Sequence, residues 1–457
     1  MLTRKRSKLY SRASAFYKER KMVPHLTTAL SGPLLSLEKR MLSDIPKIEH
    51  WFRSQWLEYA SPFYASVDLR NSGFKLAPVD TNLFPGGFNN LNPEFISLSV
   101  QAAQVAVEKV CPEAHRLMII PENHTRNTYY LRNVVELVTI MKAAGLDVRV
   151  GTINPEITEP TTLETHDGQK LLLEPVVREK NRIKLNACTV DGVDLKAFDS
   201  CAVLLNNDLS GGVPEILKDL EQDLIPPLHA GWHVRRKSQH FAAYNRVVAD
   251  FSKLLEIDEW LINPYFETCG EIDFHARTGE ECLALKVEEL LAKIKIKYAE
   301  YGVKQDPFVI VKADAGTYGM GIMTVKSPED VRDLNRKARN KMSVIKEGQQ
   351  VSEVIIQEGV YTFESINDAV AEPVVYMMDH FVIGGFYRVH TGRDVDENLN
   401  APGSHFVPLA FEKPCTLPDC TDQPDTVPNR FYAYGVVARL ALLAAAIELQ
   451  ETDPLNA

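Results

Sequence analysis

Short apolar runs separated by polar turns dominate the last third of the chain. Residues 308–311 form an apolar, β-branched run that predicts a buried strand, and residues 322–325 predict a second. Lys312 closes the first run, and Gly316, Gly319 and Gly321 fill the short connection between the two. Residues 354–356 predict a third strand, which ends in Gln357-Glu358-Gly359-Val360. Residues 371–390 read as two strands around a Gly384-Gly385 turn, with Arg388 near the end of the second. Upstream, the strand at 117–120, the helix at about 131–144 with Gly145 as its cap, and the strand at 146–150 predict a βαβ unit. Residues 152–200 are strand-like around Asp167-Gly168, and 203–205 predict another strand. Helical spacing appears over 26–57 with a break at Pro46, and over 239–255, 281–301 and 329–341. Residues 431–449 are almost wholly apolar but carry Arg439 near the middle, which predicts a buried helix and not a membrane span. The expected fold class is therefore α/β (α+β): an N-terminal helical arm over 1–60, a parallel α/β domain over 61–255 and a strand-rich domain over 256–457.

Composition narrows the partners. The 457 residues, 45% of them hydrophobic, suffice for two or three domains. A net charge of −10 supplies no basic field for nucleic acid, so any anionic ligand needs a local basic pocket. The seven cysteines include no C-x-x-C pair, and no secretory signal is visible. Reduced thiols and a cytoplasmic location follow as expectations. The first 22 residues are basic and aromatic and read as a solvated helix or arm, a mitochondrial-type presequence lacking a clear processing site. Residues 412–430 are Pro-rich and loop-like.

The chemistry clusters around Lys312. A fixed cation beside a glycine loop can cover a nucleotide triphosphate, since glycine backbone lets N–H groups approach an oxyanion. The segment fits neither G-x-x-x-x-G-K-[ST] nor G-x-G-x-x-G, and a plain glycine-rich hairpin gives the same pattern. Gln357, Glu358 and Val360 suit an adenine and ribose edge. Asp396, Glu397, Asn398 and Asn400 offer oxygen ligands for Mg²⁺, and Arg388 can neutralise a transferring phosphoryl group. In the polar stretch 67–91, Arg70 and Lys75 can clamp an amino-acid carboxylate, and Asp80, with Asn82 nearby, can take an α-ammonium; an ordinary surface loop is the alternative. Glu122, His124, Arg126 and Asn127 follow the 117–120 strand and fall at a cleft rim, with Arg126 and Asn127 as substrate ligands. Asn206 to Asp208 form a second rim loop suited to an ammonium or amide. Three consecutive cations, Arg235, Arg236 and Lys237, suggest an anion site, with Arg235 and Arg236 taken as substrate ligands; a solvated helix face is the alternative.

The order of these parts resembles the ATP-grasp superfamily, and within it the glutathione synthetase branch, whose Arg strand leads into an Asn-Leu turn; here that turn reads NLNAPG at 398–403. Over most of its length the chain is similar to the proteobacterial-type glutamate–cysteine ligases. The residues that carry this are VDLRNSGFKLAPVDTNLFPGGFNNL (67–91), IIPENHTRNTYY (119–130), HVRRKSQHF (233–241) and YRVHTGRDVDENLNAPGSHFVPLAF (387–411). The resemblance implies a substrate-binding domain over 61–255 and an ATP-grasp-like domain over 256–457. It implies ATP and Mg²⁺ as cofactors, with glutamate activated at its γ-carboxyl as an acylphosphate and cysteine as the attacking amine. Lys312 and the glycine loop would hold phosphates, and Arg388 would stabilise the transferring group. One departure stands out: no Glu-x-Asn pair follows Arg430, where glutathione synthetases place part of their metal set, and Glu448 and Asp453 are poor substitutes. A ligase with another acceptor, such as a glutathione synthetase-like enzyme, and a non-catalytic nucleotide-binding sensor are the alternatives. A homo-oligomer is compatible with the sequence; nucleic-acid and membrane partners are not expected.

Overall fold

The computed structural model describes residues 26–27, 32–316, 321–343, 350–409 and 430–456. The basic segment 1–22, Gly319 and the Pro-rich stretch 412–429 lie outside the described residues.

Three sheets bear on function. The strands Arg116–Pro121, Asp147–Thr152 and Ala202–Asn206 pair in parallel in a seven-stranded sheet. Parallel strands are covered on both faces, so they read as unbroken apolar runs, and all of Ala202–Asn206 is buried. The helix Thr128–Ala143 joins the first two as a βαβ unit. Asn127 caps its start by accepting from the Tyr130 N–H at 3.1 Å, and Gly145, at φ 100°, turns the chain just past its end.

The other two sheets are antiparallel. A four-stranded one runs in the order Phe266–Cys269, Val354–Glu358, Val309–Ala313, Ile322–Val325. A seven-stranded one has the long pair Ala369–Met378 and Phe381–His390 at its centre. Tyr64–Asn71 pairs with the first of these and Leu76–Asn82 pairs with Tyr64–Asn71. This sheet therefore draws on both expected segments, 61–255 and 256–457. Strand pairing does not follow chain order, and nothing in the apolar pattern marks that exchange.

Four local expectations are corrected. Gly384-Gly385 is not the turn, which falls at Asp379-His380; both glycines lie inside the strand Phe381–His390. At Gly385 a Cβ would collide with the Val374 carbonyl oxygen and Leu409, so close backbone approach explains that glycine. The charged helix over 329–341 is two helices, Pro328–Arg332 and Arg336–Ser343. A Ser327/Asp330 capping box opens the first, and Asn335 accepts from the Ala338 N–H at 2.9 Å at the start of the second. The helices Pro33–Ser43 and Ile45–Glu58 are not an arm: Leu34, Leu37, Met41, Ile48 and Phe52 sit in the main core. Cys111 and Cys201 are joined as a disulfide where reduced thiols were expected. The two lie 90 residues apart, and only folding brings the end of one helix beside the start of a strand.

The apolar helix Arg430–Glu451 is an interior element. It is long and apolar enough to cross a membrane, but 94% of its most apolar window is buried inside the protein. Its polar residues find partners there. Arg439 reaches the Glu49 carboxylate at 2.7 and 2.8 Å and lies over the Phe52 ring. Glu448 accepts from Arg235 Nε at 2.7 Å and Nη2 at 2.9 Å, and His240 Nδ1 lies 3.0 Å away. Burial pushes the Glu448 carboxyl up, but the Arg235 charge and the bonds from His240 and Arg235 outweigh it and bring it down to about 2. A depressed carboxyl contributes stability above its unfolded pKa, and that contribution fades as pH falls from about 4.5 toward 2. Glu448→Gln leaves Arg235 without its counter-charge, and a loss of about 3–5 kcal/mol is expected. Thermal unfolding at pH 7 checks this, and the gap to the unsubstituted protein should shrink at acid pH.

Candidate functional site

A cavity of about 770 Å³ opens where the three sheets meet, large enough for a nucleotide and a small second ligand. The four-stranded sheet supplies Ile310, Lys312, Gly316, Gln357 and Val360. Lys312 Nζ donates to Gln357 Oε1 and to the Val79 carbonyl, both at 2.7 Å. Both acceptors are neutral. Burial lowers the Lys312 ammonium to about 8, against the opposing pull of Asp80. Gly316 and Gly321 have φ of 98° and 60°, left-handed backbone that suits glycine. Among the described residues, three buried donors on lining side chains have no protein partner: Trp232 Nε1, Gln357 Nε2 and Arg388 Nε.

The floor comes from the larger antiparallel sheet. Its register sets Glu372 opposite Arg388 and Asp68 opposite Val374, so that their side chains share one face. Arg388 Nη1 donates to Asp68 Oδ2 at 2.8 Å and to Glu372. Arg70 also lines the cavity, but its guanidinium is spent on Glu372 at 3.1 Å, on the Val360 carbonyl at 3.1 Å and on the Glu397 carbonyl. It holds the floor to the hinge segment, residues 357–360 at the end of the strand Val354–Glu358. Asp80 and Asn82 line the cavity as well. Asp80 accepts from Lys237 Nζ at 2.9 Å, and Lys237 and Lys312 hold its carboxyl well below the usual range despite burial.

The parallel sheet supplies the rim. Glu122 and Asn127 follow the strand Arg116–Pro121, and Asn206 and Asp208 stand at the end of Ala202–Asn206, both carboxyl ends of parallel strands.

Other predicted residues lie elsewhere. Lys75 is buried in an ion pair with Glu358 at 2.7 Å and does not line the cavity. Glu358 reaches the lining, but its carboxylate also accepts from Trp260 Nε1 and the Tyr265 N–H, each at 3.0 Å, so it shapes the hinge. Arg126 is exposed and outside the lining. Arg235 is committed to Glu448, and Arg236 to Glu353 at 3.1 Å. The third cation of that run, Lys237, is the one that lines the cavity, 4.1 Å over the Trp232 ring. Arg235 and Arg236 precede the helix Lys237–Leu255, Arg236 in extended backbone, and Lys237 is the first helical residue, so the three part toward different partners, which a run of like charges conceals. Asp68 and Glu372 carried no signal of their own beyond being acids within apolar strands.

The predicted metal set divides. Asn398 and Asn400 line the cavity, but the Asn398 side chain accepts from the Asn400 N–H at 2.9 Å. Asp396 pairs with Lys326 at 2.6 Å, and Glu397 pairs with Arg393 at 2.8 Å. Among the described residues no group of three or more His, Cys, Asp or Glu is placed to hold a metal ion. The four residues as arranged do not together fit a magnesium ion.

A family model for glutamate-cysteine ligase matches residues 38–449. The chain is similar to a protein from Methylobacillus flagellatus KT assigned as a gamma-glutamylcysteine synthetase: 74% of residues are identical, 94% of this chain and 100% of that chain are covered, and the TM-score is 0.86. A glutathione synthetase-like effector, GSS30, from Globodera pallida matches at 11% identity over 78% of each chain, with a TM-score of 0.35. D-alanyl-alanine synthetase A from Vibrio cholerae matches at 11% identity over 71% of this chain and 80% of that one, with a TM-score of 0.31. At those scores the last two carry no weight. No curated protein matches the chain.

Proposed function

Because the chain belongs to the glutamate-cysteine ligase family, it is an ATP-dependent ligase joining the γ-carboxyl of glutamate to the amine of cysteine, and we propose that both chemical steps run in the one cavity between Lys312 and Arg388. A carboxylate in water resists amines because its leaving group is poor. ATP overcomes this. A glutamate γ-carboxylate oxygen attacks the γ-phosphorus, the bond to ADP breaks, and an acylphosphate results. The cysteine amine then forms the amide and expels phosphate. No protein nucleophile is needed, so positioning and electrostatics supply the rate.

The observation that carries this is that Lys312 and Arg388, from different sheets, face the same hollow. Lys312 and the backbone at Gly316 hold phosphates, assisted by Lys237. The unmet Gln357 amide and Val360 face the base. Arg388 meets the transferring phosphoryl group through its guanidinium. Asn82, Asn127, Asn206 and Asp208 line the part of the cavity that remains for the amino acids, where their side chains already bond to Phe84, Tyr130, Asn133 and Ser210. Mg²⁺ enters with the triphosphate, which supplies oxygens of its own. The partners are small molecules.

The test supplies ATP, Mg²⁺, glutamate and cysteine and follows phosphate release. Turnover is expected to need all four, and to stop when a chelator removes the metal. Release that ignores cysteine, or persists with metal-free ATP, overturns the corresponding part.

A further inference from the structure

We propose that Asp68 is the general base that takes the proton from the cysteine ammonium before it attacks the acylphosphate. This rests on the reaction assigned above. Cysteine arrives with its amine protonated, and an ammonium has no lone pair to attack with. A base must therefore stand beside the site where Arg388 meets the acylphosphate. Of the carboxylates lining the cavity there, Glu372 is held between Arg70 and Arg388 with only 3% of its side chain exposed. Asp80 is more open, with 39% of its side chain exposed, but Lys237 at 2.9 Å and the nearby Lys312 hold its carboxyl well below the usual range, which makes it a weak base. Asp68 keeps 21% of its side chain accessible, and its contact with Arg388 is lopsided, 2.8 Å at one oxygen and 3.4 Å at the other.

Its surroundings favour the role. Arg388 faces it from one strand, Glu372 from the next, Asp80 from the neighbouring hairpin strand, and Lys312 and Tyr376 stand within electrostatic reach. Burial and the like charges of Glu372 and Asp80 prevail over Arg388, so the Asp68 carboxyl lies above its ordinary range while that of Asp80 lies below. Two carboxylates driven apart in this way are the usual mark of distinct acid–base roles.

The step balances. The ammonium passes one proton to Asp68, and the freed lone pair forms the N–C bond at the acyl carbon. The C–O bond to the phosphoryl group then breaks, and the electron pair leaves with phosphate, which accepts the second amine proton. Asp68 returns its proton to solvent.

Hydroxylamine separates this from a positioning role, because it is already unprotonated at neutral pH and needs no base. Asp68→Asn is expected to lose about a hundredfold or more in kcat with cysteine, to regain part of it as pH rises, and to retain hydroxamate formation from ATP and glutamate. Equal losses with both acceptors would mean that Asp68 only holds Arg388, and unchanged cysteine turnover would rule it out as the base. If the variant does not fold, the unsubstituted enzyme decides. A rise of kcat with pH seen with cysteine and absent with hydroxylamine supports the proposal, and identical profiles overturn it. An unsubstituted enzyme inactive with both acceptors would instead overturn the assigned reaction.

Discussion

Lys312→Ala is expected to cut turnover by about two orders of magnitude or more, the scale of one lost transition-state donor. The side chain is buried, and its ammonium is shared between a carboxamide and a backbone carbonyl at 2.7 Å each. No carboxylate touches it among the hydrogen bonds of the described residues, so its charge is available to a phosphate. The same burial holds its pKa to about 8. The cation is present below that value and lost above it. With a lysine lowered in this way, kcat/KM for ATP is expected to fall as pH rises from 7 to 9. A bound triphosphate should oppose the change, so kcat at saturating ATP should fall less. Burying this cation costs the fold stability wherever the unfolded lysine is charged. Lys312→Met, which keeps the stem, is therefore expected to hold or raise Tm while abolishing activity. Near-normal rates from either folded variant would remove Lys312 from the mechanism.

Arg388→Ala is expected to be as damaging to turnover, and it carries a second penalty. Asp68 and Glu372 both lean on this guanidinium, at 2.8 Å and closer. Removing it leaves the buried Glu372 and the half-buried Asp68 facing each other, and stability should drop by about 3–5 kcal/mol. Arg388→Lys tells the two losses apart. A lysine keeps the charge but offers one compact ammonium in place of a planar fork, so it cannot hold both carboxylates and still present a free donor. Tm is expected to recover substantially in Arg388→Lys, while turnover stays low. If turnover returned with Tm, the arginine would be structural and the phosphoryl group would be met by another donor.

Much of the strand-rich half was legible because its pattern is local. A β-branched run, a lysine and three glycines lie within 14 residues, 308–321, and the hinge follows its own strand. The βαβ unit was legible for the same reason, since Asn127 and Gly145 mark the ends of its helix. Failures came where one residue type answers to two physical causes. Gly384-Gly385 fits a turn or a close strand crossing equally well. Lys75 fits a substrate clamp or a buried ion pair, and only the fold brings Glu358 to it. The run Arg235-Arg236-Lys237 looks like one patch, yet its members part toward Glu448, Glu353 and Asp80. The acidic turn at 394–400 was dense enough to suggest a metal, but the charges of Lys326 and Arg393 had to be located first.

The cavity floor is joined by contacts that span the chain: Arg70 meets Glu372 across 302 residues, and Arg388 meets Asp68 across 320. On a ribosome adding roughly 5–20 residues per second, the early hairpin must therefore wait on the order of 15–60 s for its neighbour to emerge. Through that interval its outer strand presents bare backbone groups to anything nearby. Holding chaperones should favour this nascent hairpin, and heterologous yield should respond more to slow translation after residue 90 than to the stability of the finished enzyme.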